Sequence, residues 1–147
     1  MTLGRAGALV LGLGVVLVAM VGAADSGSPA ARRATLLKQA GRGPAALSAL
    51  TAALQDDNAV VRRTALRLLA DLGEPARPAL LAALDNADVL VRRAALNAIC
   101  DPPTAASVPP LRKALGDNDP MVRLTAANLL VQIRPRTQEV NDLLTQA

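Results

Sequence analysis

Three arginine pairs stand thirty residues apart: Arg32-Arg33, Arg62-Arg63 and Arg92-Arg93, with Arg123-Leu124 thirty-one residues further on. Guanidinium groups at a fixed spacing can fork onto carboxylates or bind an anionic surface, because their planar donors match the two oxygens of an acid. The acids available to them cluster in short turns: Asp56-Asp57-Asn58, Asp85-Asn86-Ala87-Asp88 and Gly116-Asp117-Asn118-Asp119. Carboxylates placed on turns and helix caps are accounted for by the fold, and no pair of them forms a catalytic constellation.

Other chemistry is limited by what the chain lacks. It has no His, so there is no imidazole base, no Ser–His or Cys–His pair and no His metal ligand. It has no Phe, Tyr or Trp to stack on bases, so no nucleic-acid partner is expected. One cysteine, Cys100, allows neither an internal disulfide nor a cysteine zinc site. It aligns with Ala40, Ala70 and Val131, which suits a buried core thiol; the alternative is an intermolecular disulfide. The net charge of +4 permits attraction to an acidic partner without identifying one. No cofactor or metal is expected, and the protein is expected not to be an enzyme.

The elements that carry the arginines follow from periodicity. Hydrophobic residues make up 52% of the 147, and in the absence of aromatics they are Ala, Leu and Val, which favour helices packed on helices. The stretch Asp88–Leu96 recurs as Asn58–Leu66, as Asp119–Ala127 and, degenerately, as Ser28–Leu36. Such a period marks a solenoid. Each full unit reads as two helices. First helices carry Leu47, Leu50, Ala53 and Leu54; Leu80, Ala83 and Leu84; and Leu111, Ala114 and Leu115. Second helices bury Val61, Ala65, Leu68, Leu69 and Leu72; Val91, Ala95, Ala98 and Ile99; and Val122, Ala126, Leu129, Leu130 and Ile133. Gly73, Pro102 and Pro135 end units.

Ser28, Asn58, Asp88 and Asp119 precede the second helices as N-caps, and Pro29 and Pro120 occupy the N1 slot. The first arginine of each pair then falls in the second turn, where the helix dipole disfavours a cation. Loop acids Asp56, Asp85 and Asp117 are the expected compensation, from the same unit or its neighbour.

The chain therefore divides into a half-unit 28–41, units 44–73, 75–101 and 105–134, and a half-unit 137–147. The last segment spaces Val140, Leu143 and Leu144 like a first helix. It either packs onto the third unit or offers an apolar edge for self-association. Ahead of the repeats, residues 1–24 read as an export signal: one charge at Arg5, an uncharged Leu/Val/Gly run over Ala6–Ala24, and a small-residue exit cleaved after Ala23 or Ala24. Left uncleaved, those nineteen residues would span about 28 Å as a helix and tether the protein to a membrane. Either way the repeats of residues 25–147 are expected outside the cytoplasm, periplasmic or secreted.

The pattern of Leu54, Asp56, Asn58, Val61, Arg62 and Ala65, repeated on Leu84, Asn86, Asp88, Val91, Arg92 and Ala95 and on Leu115, Asp117, Asp119, Val122, Arg123 and Ala126, resembles the short HEAT-like repeat named after phycobilisome lyases. The resemblance covers about residues 28–147. It implies an all-α solenoid, a right-handed superhelix of helix pairs with second helices on the concave face. It also implies an Asp–Arg ladder between neighbouring units, involving Asp56, Arg62, Arg92, Asp117 and Arg123. Asn86, in place of a loop acid, should weaken one rung; Leu124 replaces the second arginine of the third unit.

Enzymes of that class do not fit. Its diiron hydroxylases need His-Glu motifs, its DNA glycosylases use aromatic residues, and its bilin lyases need a chromophore pocket. The expected function is a non-enzymatic protein-binding scaffold. A bilin lyase-like accessory protein and a tethered or self-associating structural solenoid are the alternatives. Arg33, Arg63 and Arg93 are the candidate binding stripe for an acidic partner, or else a solvated face.

Overall fold

The computed structural model describes residues 27–146; the stretch read as an export signal lies outside them. Among the described residues the chain is built from helices and turns, with no strand. Eight α-helices follow in order: α1 Pro29–Ala40, α2 Leu47–Ala52, α3 Ala59–Leu72, α4 Arg77–Ala82, α5 Val89–Ile99, α6 Val108–Leu115, α7 Pro120–Gln132 and α8 Gln138–Gln146. None of them is long and apolar enough to cross a membrane.

The helices form two layers. Second helices α1, α3, α5 and α7 pack each on the next, while α2, α4 and α6 pack on the second helix of their own unit. The core is a set of rows, one residue per repeat. Leu50, Leu80 and Leu111 come from the first helices; Val61, Val91 and Val122, then Ala65, Ala95 and Ala126, come from the second. Alanine at the last position lets the backbones approach closely, and valine and leucine fill the space on either side.

Burial on the second helices is wider than one stripe. Leu36, Leu66 and Leu96 are also buried, forming a further row. A helix that meets both its own first helix and the adjacent second helices is covered over more of its circumference than a simple amphipathic one. The first helices, read from sequence as single segments, are shorter than expected. A 3₁₀ turn precedes each of α2, α4 and α6, and α2 and α4 also run into 3₁₀ turns at Ala53–Gln55 and Ala83–Asp85. There the amides of Asp56 and Asn86 donate to Ala53 and Ala83, three residues back, which tightens the last turn before the chain extends.

All four caps are made. Ser28 accepts from the Ala31 amide, Asn58 from Val60, Asp88 from Leu90, and Asp119 from Met121 and Val122. At the other end of α3, Gly73 stands at φ +68°, ψ −137°, a backbone state open to glycine and strained for other residues. The final segment is docked: Val140 is fully buried, and Leu143 and Leu144 lie partly buried against the core, with α8 packed on α7.

Candidate functional site

The first arginines do one thing in three consecutive units. Each turns back over its own helix N-terminus and reaches forward to the next unit. Arg62 donates from Nη1 to the carbonyls of Asp56 (2.7 Å) and Asp57 (3.0 Å), and Arg92 does the same to Asn86 (2.9 Å) and Ala87 (3.2 Å). The remaining donors meet a carboxylate one repeat on. Arg32 pairs with Asp56 at 2.8 Å and also with Asp57; Arg62 pairs with Asp88 at 2.7 Å, and Arg92 with Asp117 at 2.8 Å. The cation is therefore aimed at carbonyls and a carboxylate rather than down its helix axis, which removes the dipole conflict. Arg123 makes the carbonyl half of this arrangement, to Asp117 (2.8 Å) and Asn118 (3.0 Å).

Two expectations are corrected. Asp85 does not serve an arginine; Lys113 Nζ donates to its Oδ2 at 2.7 Å across the surface between units. The second concerns Asn86, expected to weaken its rung: the rung is made by another acid instead. Asn86 is buried, its Nδ2 donates to the Leu54 carbonyl of the preceding unit at 3.0 Å, and its Oδ1 accepts the Asp88 amide at 2.9 Å. Arg62 takes its carboxylate two residues later, from the cap residue Asp88. A buried position facing a bare carbonyl needs a donor, which Asn has and Asp lacks.

The rung acids titrate accordingly. Asp117 lies below the ordinary carboxylate range because Arg92 hydrogen-bonds it, against the opposing cost of burial. In Asp88 burial pushes upward, but bonds from Arg62 and the Leu90 amide outweigh it and the net shift is down. Asp56 behaves likewise, with burial opposed by Arg32 and the Asn58 amide. Arg92 is raised, first through its bond to Asp117.

The second arginines lie along the outer side of the second helices, and they are not simply solvated. Arg33 Nε donates to Thr64 Oγ1 on the next second helix (3.2 Å), and Arg93 Nε to Thr125 Oγ1 (3.4 Å). Arg63 Nε instead donates to Ala59 O, four residues back on its own helix (3.1 Å). The second helices also carry a row the sequence reading did not single out: Val60, Leu90 and Met121 are 44%, 41% and 46% exposed. They occupy one position, two residues past the cap, and their recurrence at the repeat period was the available signal.

Cys100 is a free, fully buried thiol whose pKa is pushed up by burial. A sulfur with no exposed surface does not meet a second chain, so the intermolecular disulfide has no support. Among the described residues no cluster of acids or Cys100 is arranged to hold a metal ion. A cleft of about 430 Å³ between the turns of the second and third units is lined by Asp85, Asn86, Arg92, Lys113 and Asp117. Its opposite charges are matched to each other in the pairs described above.

A family model for HEAT repeats matches residues 17–89 and again residues 77–147. The chain belongs to the HEAT-repeat family. A search of the curated proteins finds no match. HEAT repeats generally mediate protein–protein interaction, and in this HEAT-repeat chain the rungs between units are committed to holding the stack. The solvent-facing side of the second helices carries the exposed Val60, Leu90 and Met121 together with Arg33 and Arg63, which are exposed, and Arg93, which is half-buried.

Proposed function

We propose that this HEAT-repeat protein is a non-catalytic scaffold, exported to the periplasm or beyond, that binds a partner protein on the surface of its second helices. The single observation carrying this reading is the exposed row Val60, Leu90 and Met121 beside Arg33, Arg63 and Arg93. Apolar side chains left in water at the same position of successive repeats are a liability unless something covers them. The flanking cations supply orientation and selectivity for an acidic partner.

The direct packing of each second helix on the next supports placing that layer on the inner, concave side of a right-handed superhelix. Export is supported by the charge and hydropathy pattern of residues 1–24.

Two experiments test the reading. A tagged full-length chain is fractionated and its N-terminus sequenced; cytoplasmic protein with Met1 intact removes the export half. A pull-down from the exported fraction compares wild type with a Val60/Leu90/Met121→Ser variant that retains its helical circular dichroism. A partner held equally by both removes the binding face.

A further inference from the structure

The three second arginines are equivalent in sequence and different in what they hold. Thr64 and Thr125 stand opposite Arg33 and Arg93, but the corresponding residue opposite Arg63 is Ala94. With no hydroxyl to reach, Arg63 folds back onto the Ala59 carbonyl. The junctions α1/α3 and α5/α7 are thus each crossed by an arginine–threonine bond, and the α3/α5 junction, held at its end by Arg62–Asp88, has no such bond. Val60 and Leu90, both exposed, belong to the two helices that flank it.

Arg63 is also the easiest of the three to recruit. The Ala59 carbonyl already accepts the amide of Arg63 as part of the helix, so losing the side-chain bond leaves no orphan acceptor. To present their Nε edge, Arg33 and Arg93 would have to give up a bond that ties two helices together. A guanidinium free to swing presents its Nε–Nη edge to a carboxylate as a bidentate fork.

The apolar row runs across three successive packed helices, α3, α5 and α7, and this points to the occupant. Packed helices lie about 8–10 Å apart. A polyproline II segment advances about 3.1 Å per residue with three residues per turn, so every third side chain recurs at about 9 Å along one line. Resting on the protein-binding reading above, we propose that the second-helix face takes an extended, polyproline II-like segment of a partner protein, with an apolar side chain at every third position against Val60, Leu90 and Met121, and that Arg63 anchors its register by binding one carboxylate over the α3/α5 junction. A polyanion would use the arginines alone and leave the apolar row uncovered.

The test is fluorescence anisotropy of the full chain with a labelled peptide of four Pro-Leu-Glu repeats, beside the same peptide with Gln for Glu. The Glu peptide is expected to bind, and the Gln peptide to bind about tenfold more weakly. Arg63→Ala should cost about tenfold, while Arg33→Ala and Arg93→Ala each change affinity less than about threefold. Ala94→Thr keeps every charge but supplies the missing hydroxyl, so it should draw Arg63 across the junction and weaken binding as Arg63→Ala does. Thermal melts of each variant show that it is folded. No binding of the Glu peptide, equal losses at the three arginines, or an indifferent Ala94→Thr overturns the proposal. So does a heparin fragment that binds as tightly as the peptide. If the peptide fails while the Val60/Leu90/Met121→Ser variant still loses its pulled-down partner, the register is wrong and the docking face stands. If that partner is retained, the docking face falls as well.

Discussion

Arg62 and Asp88 belong to different repeats, and one carboxylate serves both. Asp88 Oδ2 accepts Nε and Nη2 of Arg62 at 3.1 and 2.7 Å, while its Oδ1 accepts the Leu90 amide at 2.9 Å and caps α5. The link between units and the start of a helix are thus the same side chain. Asp88→Asn keeps an oxygen for the cap and loses the charge, and should cost about 1–2 kcal/mol; Asp88→Ala loses both and should cost about 2–4 kcal/mol. Asp85→Ala removes only the exposed pair with Lys113 and should stay within about 0.5 kcal/mol. Urea denaturation of the three variants checks the order, and equal losses at Asp85 and Asp88 would contradict it.

Asn86→Asp restores the acid that the other units carry at this position, and it should nevertheless destabilise. The Leu54 carbonyl loses its donor and acquires a buried carboxylate as neighbour, at a cost of about 1–3 kcal/mol at neutral pH. The loss should shrink in acid, where a protonated carboxyl can donate again. A melting temperature equal to or above wild type at pH 7 would show that the Nδ2 bond to Leu54 carries no weight.

Arg92→Ala and Arg123→Ala separate the two halves of a rung. Arg92 holds both oxygens of Asp117 and two turn carbonyls; Arg123 holds two turn carbonyls alone. Removal of Arg92 leaves a largely buried acid without its cation and should cost about 2–4 kcal/mol, against about 1 kcal/mol or less for Arg123. Thermal melts at one ionic strength read the difference directly.

Acid should unfold the stack through its rungs. Asp56, Asp88 and Asp117 all have folded-state pKa values below the ordinary carboxylate value of 3.8. Their contribution is complete above the unfolded-state value, near 4, and is lost as pH falls through the lower folded values. Stability should therefore be flat with respect to these groups from about pH 5 to 7 and fall steeply below about pH 4. Asp117→Asn should flatten that fall, and an unchanged slope in the variant would count against the assignment.

What the sequence disclosed was whatever is local and repeated. The thirty-residue period, the four caps at Ser28, Asn58, Asp88 and Asp119, and the rows through Val61 and Ala65 depend on residues a few positions apart, and periodicity exposes them. The donor and acceptor of each rung did not follow in the same way. Acids at two different positions, the cap and the residue two before it, can reach the same guanidinium, and only packing decides between them. That is why Asn86 looked like a defect; Asp85, three residues before its cap, stands at neither position and meets Lys113 instead. The threonines opposite Arg33 and Arg93 were hidden for a related reason. Their partners stand one repeat and a residue away, and Thr in a helix carries no mark of what lies beside it. Leu66 and Leu96 were missed because a one-face amphipathic template does not anticipate a helix with neighbours on several sides.

The rungs join corresponding atoms of consecutive repeats, and this makes the molecule's length separable from its chemistry. Excision of residues 57–86 would join Asp56 to Ala87, keeping an acid for Arg32, a cap at Asp88 and two turn carbonyls for Arg92. Such a shortened chain keeps an acid, a cap and a turn for the ladder and gives up the Arg32–Asp57 pair, the Asn86–Leu54 bond and the Lys113–Asp85 pair, whereas a cut that is not a whole number of repeats breaks the ladder itself. Arg33 would then face Ala94 and take the conformation that Arg63 has now. The reach of the surface could thus be changed a whole repeat at a time, with the anchoring arginine moved by choosing which repeat is removed.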